Sequence, residues 1–422
     1  MSTTPTLARR LGLLDATAIG VGSMVGAGVF AVWGPATSSA GRWLLLALLV
    51  AAIVAFANAT SSAQLAAVYP VAGGTYVYGR EVLGPWWGHA AGWSFVIGKT
   101  ASCAAMAITF AAYVLPGEGS GTSRRLLAAA VVAVLAGINC LGVTRTALLT
   151  KVIVTVVLAV LAWTAVAGTT IPTLLERPGD RVPAPDASWY GVLQGAALLF
   201  FAFAGYARIA TMGEEVTNPR RTIPRAIVIA LGVVLAVYLL IGVVVLRVLG
   251  GTAVGSDQPL VLVARAAQYR ELEVALGVAA ALATAGALLN LMTGIGRTSL
   301  AMAREGDFPR WLSAVHPRTK VPHRAELVLG AVVIAVVLAV DLRGAIGFSS
   351  FGVLLYYSVA NLSALRQPDD QRRYPRWLQV LGVVGCLTLV ATLPWRVLAV
   401  GVVVLAIGLG VRAVVQRRPR AA

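Results

Sequence analysis

The sequence contains few charged residues for its length: only 12% of its 422 positions are Asp, Glu, Lys or Arg. A water-soluble domain usually carries about twice that share, so this composition excludes a soluble enzyme. Cysteine and histidine are also scarce, with three of each, and they show neither metal-ligand spacing nor a disulfide framework. We therefore predict no metal site and no cofactor.

Motifs of membrane-embedded enzymes and of ATP-driven pumps are absent as well. The sequence has no HExxH, no GxSxG and no Walker loop. We therefore expect neither an enzyme nor an ATP-driven transporter.

Apolar runs of membrane-spanning length fill most of the chain. Hydrophobic residues occupy 58% of the positions, and the mean hydropathy is +0.82. Because a transmembrane helix needs about 20 apolar residues, the chain is long enough for twelve. The predicted spans are 11–38, 42–66, 85–115, 125–141, 147–167, 189–211, 223–249, 273–297, 325–340, 342–365, 378–393 and 395–412. The predicted fold class is an all-α integral membrane protein, and its main partner is the lipid bilayer.

Basic residues are in excess, with a formal net charge of +17. They lie mostly in short clusters between apolar runs, which indicates contact with anionic lipid rather than with nucleic acid. If the N-terminus is cytoplasmic, roughly twice as many Lys and Arg residues face the cytoplasm as face the other side. We predict a multi-pass protein of the cell membrane with both termini in the cytoplasm.

Two spans are unusual helices. The first has four glycines near its middle, at positions 20, 22, 26 and 28, which favours either a local unwinding or close helix packing through GxxxG. The sixth is interrupted by Phe-Ala-Phe-Ala-Gly-Tyr at 201–206. Breaks five helices apart are typical of an inverted repeat and mark a substrate site, so they favour a transporter over a channel.

Three stretches carry a resemblance to the amino acid–polyamine–organocation transporter family. GSMVGAGVF at 22–30 resembles the pattern GSxxGxGIF of the first helix in that family. FAGY at 203–206 and EEVTNPRRTIP at 214–224 are similar to the region around EEVxNPxRxIP after helix six. Residues 297–309 resemble the loop after helix eight. The likeness covers nearly the whole chain, and its motifs are specific to the family but not to a substrate.

This resemblance implies a LeuT-type fold with a 5+5 inverted repeat. Residues 1–168 would form the first repeat, 188–365 the second, and 377–415 two appended helices. The implied function is a secondary permease that moves amino acids by alternating access, either proton-coupled or by exchange. A polyamine or cationic amino-acid exchanger is the alternative. It is disfavoured because spans one, three, six, eight and ten contain no mid-membrane carboxylate.

The resemblance also implies a substrate site at the two breaks. Backbone amides of the first break would bind the substrate carboxylate, and carbonyls of the sixth-helix break would accept from its amino group. Asn290 on the eighth span is a polar residue expected to reach the same cavity. The predicted substrate-binding residues are Ser23, Met24, Gly26, Ala27, Gly28, Phe203, Ala204, Gly205 and Asn290.

Lys99 is the deepest charged residue of the sequence, near the centre of the third span. A lysine at that depth costs roughly 3 kcal/mol to insert, which points to a function. The alternative is a structural lysine that caps carbonyls of an unwound neighbour. Similar proton-coupled transporters carry a lysine midway along helix five, where this chain has Val157, whereas Lys151 is interpreted as a lipid anchor. Lys99, close to carbonyls of the first break, is therefore the predicted proton-coupling residue.

Three further charges are candidate gate residues: Asp15, Arg208 and Glu215. Asp15 begins the first span, where it either stabilises the helix N-terminus or pairs across a gate. Arg208 lies one turn past the sixth-helix break. It forms either an ion pair at the cytoplasmic end or a cytoplasmic gate with the glutamates that follow.

Overall fold

The computed structural model describes residues 11–69, 73–115, 121–142, 147–170, 184–210, 212 and 215–417. Both termini and the residue Glu214 of the motif after helix six lie outside this part of the chain. The helices are α1 (Leu13–Val25), α2 (Gly28–Ala31), α3 (Trp33–Ala40), α4 (Leu44–Val68), α5 (Thr75–Leu83), α6 (Pro85–Val114), α7 (Gly121–Cys140), α8 (Ala147–Thr170), α9 (Trp189–Phe203), α10 (Ala207–Ala210), α11 (Pro219–Val248), α12 (Pro259–Ala266), α13 (Arg270–Arg304), α14 (His323–Ala339), α15 (Leu342–Arg366), α16 (Arg376–Ala391) and α17 (Trp395–Arg417).

Within the described residues, ten helical stretches are long and apolar enough to cross a membrane. The ninth and eleventh predicted spans are the shorter helices α14, with 17 residues, and α16, with 16. The first predicted span consists of α1, α2 and α3, and the sixth consists of α9 and α10. The predicted all-α membrane fold is therefore confirmed.

Local sequence accounts for several helix starts. Ser188 and Asp341 cap α9 and α15, because their side chains accept from the backbone N–H groups of Gly191 and Gly344 at 3.2 and 3.1 Å. Proline opens α6, α11 and α12, where its missing N–H costs nothing. These signals set where each span begins.

Packing between the helices follows a two-fold pattern that relates spans one to five to spans six to ten. The first span of each half packs on the second span of the other half: α1 packs on α11, and α9 packs on α4. The first span of each half also packs on the fifth span of its own half: α1 packs on α8, and α9 packs on α15. Each half also has a short helix, α5 or α12, between its second and third spans. This pattern agrees with an inverted repeat. Residues 171–183, between the two halves, are not described, so the exact repeat boundaries stay a prediction.

Helices α6 and α15 are the most enclosed spans and α17 is the least. Helix α6 packs along both α13 and α15, so its side chains face the middle of the bundle. Lys99 belongs to this central helix and is 6% exposed. The fold thus places the one lysine of α6 among the broken helices rather than toward lipid.

Candidate functional site

The first break is a short interruption between α1 and α2. Helix α1 ends at Val25 and α2 begins at Gly28, with Gly26 and Ala27 in a turn between them. Across the described residues, the backbone N–H groups of Gly26, Ala27 and Gly28 have no backbone acceptor. Free N–H groups at the start of a helical segment attract an anion such as a carboxylate.

The second break is a 3₁₀ turn, Ala204–Tyr206, between α9 and α10. The carbonyl oxygen of Ala204 accepts two hydrogen bonds, from Lys99 Nζ at 3.1 Å and from the Tyr357 hydroxyl at 3.2 Å. This result corrects one expectation: the bond of Lys99 goes to the sixth-helix break rather than to the first. It also means that the carbonyl expected to receive a substrate amino group already has two donors.

The two breaks cross in direct contact, and glycine permits this approach. A Cβ on Gly205 would lie 2.3 Å from the carbonyl oxygen of Ser23, and a Cβ on Gly28 would lie 2.7 Å from Cα of Ala202. The Tyr238 hydroxyl of α11 joins the same segments, since it lies 2.8 Å from the Met24 carbonyl and 3.1 Å from the Ala202 carbonyl. The GxxxG glycines pack closely on other helices, since a Cβ on Gly22 would lie 2.7 Å from Cγ2 of Val154 and a Cβ on Gly26 would lie 2.8 Å from Cβ of Ala287. Local unwinding and close packing, weighed as alternatives from the sequence, therefore occur together.

A cavity of about 210 Å³ lies beside the crossing. It is lined by nine of the ten residues predicted for substrate and proton: Ser23, Met24, Gly26, Ala27, Gly28, Ala204, Gly205, Asn290 and Lys99. Phe203 is the exception. Its buried ring packs on the Tyr238 ring, with 5.2 Å between the ring centres, and contributes to the core instead. The hydroxyl of Ser23 donates to the Ile19 carbonyl of its own helix at 2.8 Å.

The charged residues that line the cavity in the described part of the chain are all basic. Lys99, Arg208 and Arg297 line it, and no Asp or Glu does so among the described residues. The remaining walls are mostly apolar, with Phe95, Met106, Ile153, Val154, Val157 and Phe201 among them. Such a lining accommodates a carboxylate and an apolar side chain better than a second positive charge.

One end of the cavity has an exposed lining residue and is called the open end. Arg297, which lines the cavity, is exposed at the end where α1 begins and α13 finishes. Toward the opposite end, the Tyr113 hydroxyl donates to the Phe30 carbonyl at 3.0 Å, and the two rings pack edge to face. In the predicted topology, the open end faces the cytoplasm.

The candidate gate residues lie around the open end but do not form one cluster. Asp15 pairs with Lys151 of α8 at 2.5 Å and also accepts from the Gly12 N–H at 3.0 Å. Lys151 is thus ion-paired with Asp15 while its side chain is 44% exposed, and its interpretation as a lipid anchor stays a prediction. Arg208 lines the cavity and interacts electrostatically with Glu215, which does not line it.

A second buried network was not predicted from the sequence. Asp307, in the motif after helix eight, pairs with Arg412 of α17 at 2.7 Å, and both side chains are 2% exposed. Asp307 also pairs with Arg80 at 3.3 Å and accepts from the Tyr76 hydroxyl at 2.9 Å. Burial and the neighbouring Asp307 carboxylate raise the pKa of Tyr76 above its usual value. The network attaches α17 to the short helix α5 and to the segment that follows α13.

Sequence reasoning missed Tyr238 and Tyr357 as well as this network. Both tyrosines lie in the middle of apolar spans, and a buried hydroxyl there requires an acceptor. That requirement indicates, from the sequence alone, that each hydroxyl has a hydrogen-bond partner. It does not reveal that their partners are carbonyls of the two breaks.

Comparison with known proteins identifies similar transporters. A family model described as amino acid permease matches residues 11–418. The chain is 53% identical over 418 residues to an uncharacterized transporter of Mycobacterium bovis, covering 98% of this chain and 93% of that protein. It is 26% identical to the branched-chain amino acid permease of Bacillus subtilis, covering 96% and 92%. It is 29% identical to cationic amino acid transporter 4 of Homo sapiens, covering 85% and 60%.

Proposed function

We propose how this chain, which belongs to the amino acid permease family, recognises and moves its substrate. As a member of that family it is a LeuT-type amino-acid transporter and not an enzyme. The substrate carboxylate binds the free backbone N–H groups of Gly26, Ala27 and Gly28. Alternating access then exposes this site to each side of the cell membrane in turn. The observation that carries the proposal is the cavity beside three N–H groups that have no backbone acceptor in the described part of the chain.

The proposed substrates are α-amino acids with neutral, mainly apolar side chains. The apolar walls and the three cations of the cavity support this choice. The name of the Bacillus subtilis relative, a branched-chain amino acid permease, is in line with it. A cationic amino acid or polyamine is the second candidate, favoured by the name of the human relative. It requires a partner for its extra charge, and no lining carboxylate is found in the described part of the chain.

Lys99 is the proposed proton-coupling residue. It is buried in the central helix, lines the cavity and contacts the second break through Ala204. Val157, at the position where similar transporters hold a lysine, lines the same cavity. A proton on Lys99 therefore lies next to the substrate site, as coupling between proton binding and substrate binding requires.

The proposed location is the cell membrane with both termini cytoplasmic, which the distribution of basic residues supports. Epitope tags at either end should be inaccessible to antibody in intact cells and accessible after permeabilisation. Labelling of either tag in intact cells would contradict the proposed orientation.

Substrate binding is tested by thermal-shift screening of the purified protein with the twenty amino acids and common polyamines, followed by counterflow in proteoliposomes. We expect neutral apolar amino acids to stabilise the protein most. Stabilisation by lysine, arginine or polyamines alone would favour the second candidate. No stabilisation by any of these compounds would contradict the proposed site.

Asn290→Ala is a suitable binding variant, because Asn290 lines the cavity and is itself exposed. It should weaken binding without changing the unfolding temperature of the unliganded protein. Gly232→Ala is the matched control, since Gly232 has open space around its Cβ position and lies outside the cavity lining. Gly28→Val is unsuitable, because its side chain would collide with the backbone of Ala202.

A further inference from the structure

The carbonyl oxygen of Ala204 is fully engaged in this structure. It accepts from Lys99 Nζ at 3.1 Å and from the Tyr357 hydroxyl at 3.2 Å. A carbonyl oxygen has two lone pairs, so these two donors use its ordinary capacity. A third donor can bind there only if one of the two leaves.

The amino group of an α-amino acid needs an acceptor in the same cavity. Carboxylates do not line the cavity within the described ranges, so backbone carbonyls are the candidates. Ala204 directly follows the C-terminal end of α9, where the helix dipole favours a positive charge. The nearby Ala202 carbonyl accepts from Tyr238 at 3.1 Å, and Ala202 does not line the cavity. The Ala204 carbonyl, at a helix C-terminus and in a residue that lines the cavity, is therefore an acceptor within reach of a substrate amino group.

Of its two donors, Lys99 is the one that a substrate can displace. Lys99 lines the cavity, whereas Tyr357 is fully buried and is not part of the lining. The Tyr357 ring is also held by stacking on Tyr206, with 5.0 Å between ring centres. A flexible lysine stem can swing away from the carbonyl, but this ring cannot.

No Asp or Glu lines the cavity around Lys99 in the described part of the chain, and the buried carboxylate of Glu326 on α14 lies outside the lining, where it accepts from the Asn139 side-chain amide at 3.2 Å. Cys103 lies one turn away on the same helix, and Tyr357 faces Lys99 from α15. Arg208 of α10 and Arg297 of α13 line the same cavity, while α1 and α8 contribute no titratable residue to the described lining. A substrate ammonium and a protonated Lys99 would therefore repel each other at this carbonyl.

We propose that the protonated Lys99 side chain and the amino group of the substrate compete for the Ala204 carbonyl, so that the transporter exchanges one amino acid for one proton. This inference rests on the proposed amino-acid site. Substrate binding sends the proton from Lys99 Nζ to water at the open end of the cavity, and Lys99 regains a proton after the substrate leaves. Under an inward proton gradient, such an exchanger would export amino acids from the cell.

The test is the pH dependence of binding, measured for each of the twenty amino acids added singly to purified protein. Competition with one proton predicts that affinity rises up to tenfold per pH unit over the range in which Lys99 titrates. Lys99→Met should bind with little pH dependence, and Lys99→Arg, which stays charged, should bind weakly throughout. Arg297→Gln is the matched control: it removes another cation of the cavity without touching Ala204, so the pH dependence should persist.

Proton release gives a second measurement that needs no variant. In weakly buffered solution with a pH-indicator dye, substrate binding should release up to one proton per transporter. Binding accompanied by proton uptake or by no proton movement would overturn the inference while leaving the amino-acid site intact. Equal pH dependence in wild type and Lys99→Met would also overturn it. Failure of every amino acid to bind wild type would instead contradict the proposed site itself.

Discussion

Replacing Gly205 with alanine tests whether the contact between the two breaks holds the site together. The added Cβ would lie 2.3 Å from the carbonyl oxygen and 2.4 Å from the carbonyl carbon of Ser23. Favourable separations between non-bonded carbon atoms are about 3.5–4.0 Å, so the overlap exceeds about 1 Å. The atoms in the way belong to backbone, which cannot rotate aside as a side chain can.

Overpacking of this kind costs about 1–3 kcal/mol, and sometimes more. Because both partners at Gly205 are backbone segments, we expect a loss of about 3 kcal/mol in the free energy of unfolding. Separation of the breaks should also abolish counterflow in proteoliposomes. Unfolding of the purified protein in detergent, followed by intrinsic fluorescence, measures the first effect.

Gly294→Ala is the matched control for this experiment. Gly294 lines the same cavity, but its Cβ position has no neighbour within 4 Å. Alanine also favours a helix over glycine by about 1 kcal/mol, so this variant should be as stable as wild type or slightly more stable. If Gly205→Ala proves as stable and active as Gly294→Ala, the two breaks do not depend on their close approach, and the reasoning is refuted.

Three further variants test the contacts around the site. Tyr238→Phe keeps the ring but removes the hydroxyl between the breaks, so the free energy of unfolding should fall by about 0.6–1.7 kcal/mol. An unchanged free energy of unfolding would contradict the proposal that this hydroxyl links the two breaks. Asp307→Asn should lower the free energy of unfolding by roughly 3–5 kcal/mol. Arg412→Met should lower it by less, because Asp307 then keeps its other partners. Equal losses in the two variants would contradict this expectation. Asp15→Asn breaks a partly exposed pair with Lys151 and should change stability by less than about 1 kcal/mol. If the pair is a gate, counterflow should become faster, and an unchanged rate would argue against that role.

The spans and their two interruptions could be predicted from the sequence, because both depend on local properties. Hydropathy over about 20 residues marks a membrane helix wherever the rest of the chain lies. The glycines at 26, 28 and 205 weaken a helix locally, and two such sites five spans apart indicate a repeat. The depth of Lys99 follows from its distance to the nearest span ends. Nine of the ten residues predicted for substrate and proton line the cavity, although its other walls were not predicted.

The partner of each polar group was decided by the tertiary structure. Lys99 and Ala204 are 105 positions apart, and Lys151 and Asp15 are 136 apart, so their contacts depend on how whole helices are placed. Local sequence does not encode the rotation of a helix about its axis. That rotation turns Phe203 into the core and Ala204 toward the cavity, although the two residues are neighbours in the chain. The same physical reason explains why Asp307 and Arg412 meet only in the folded bundle.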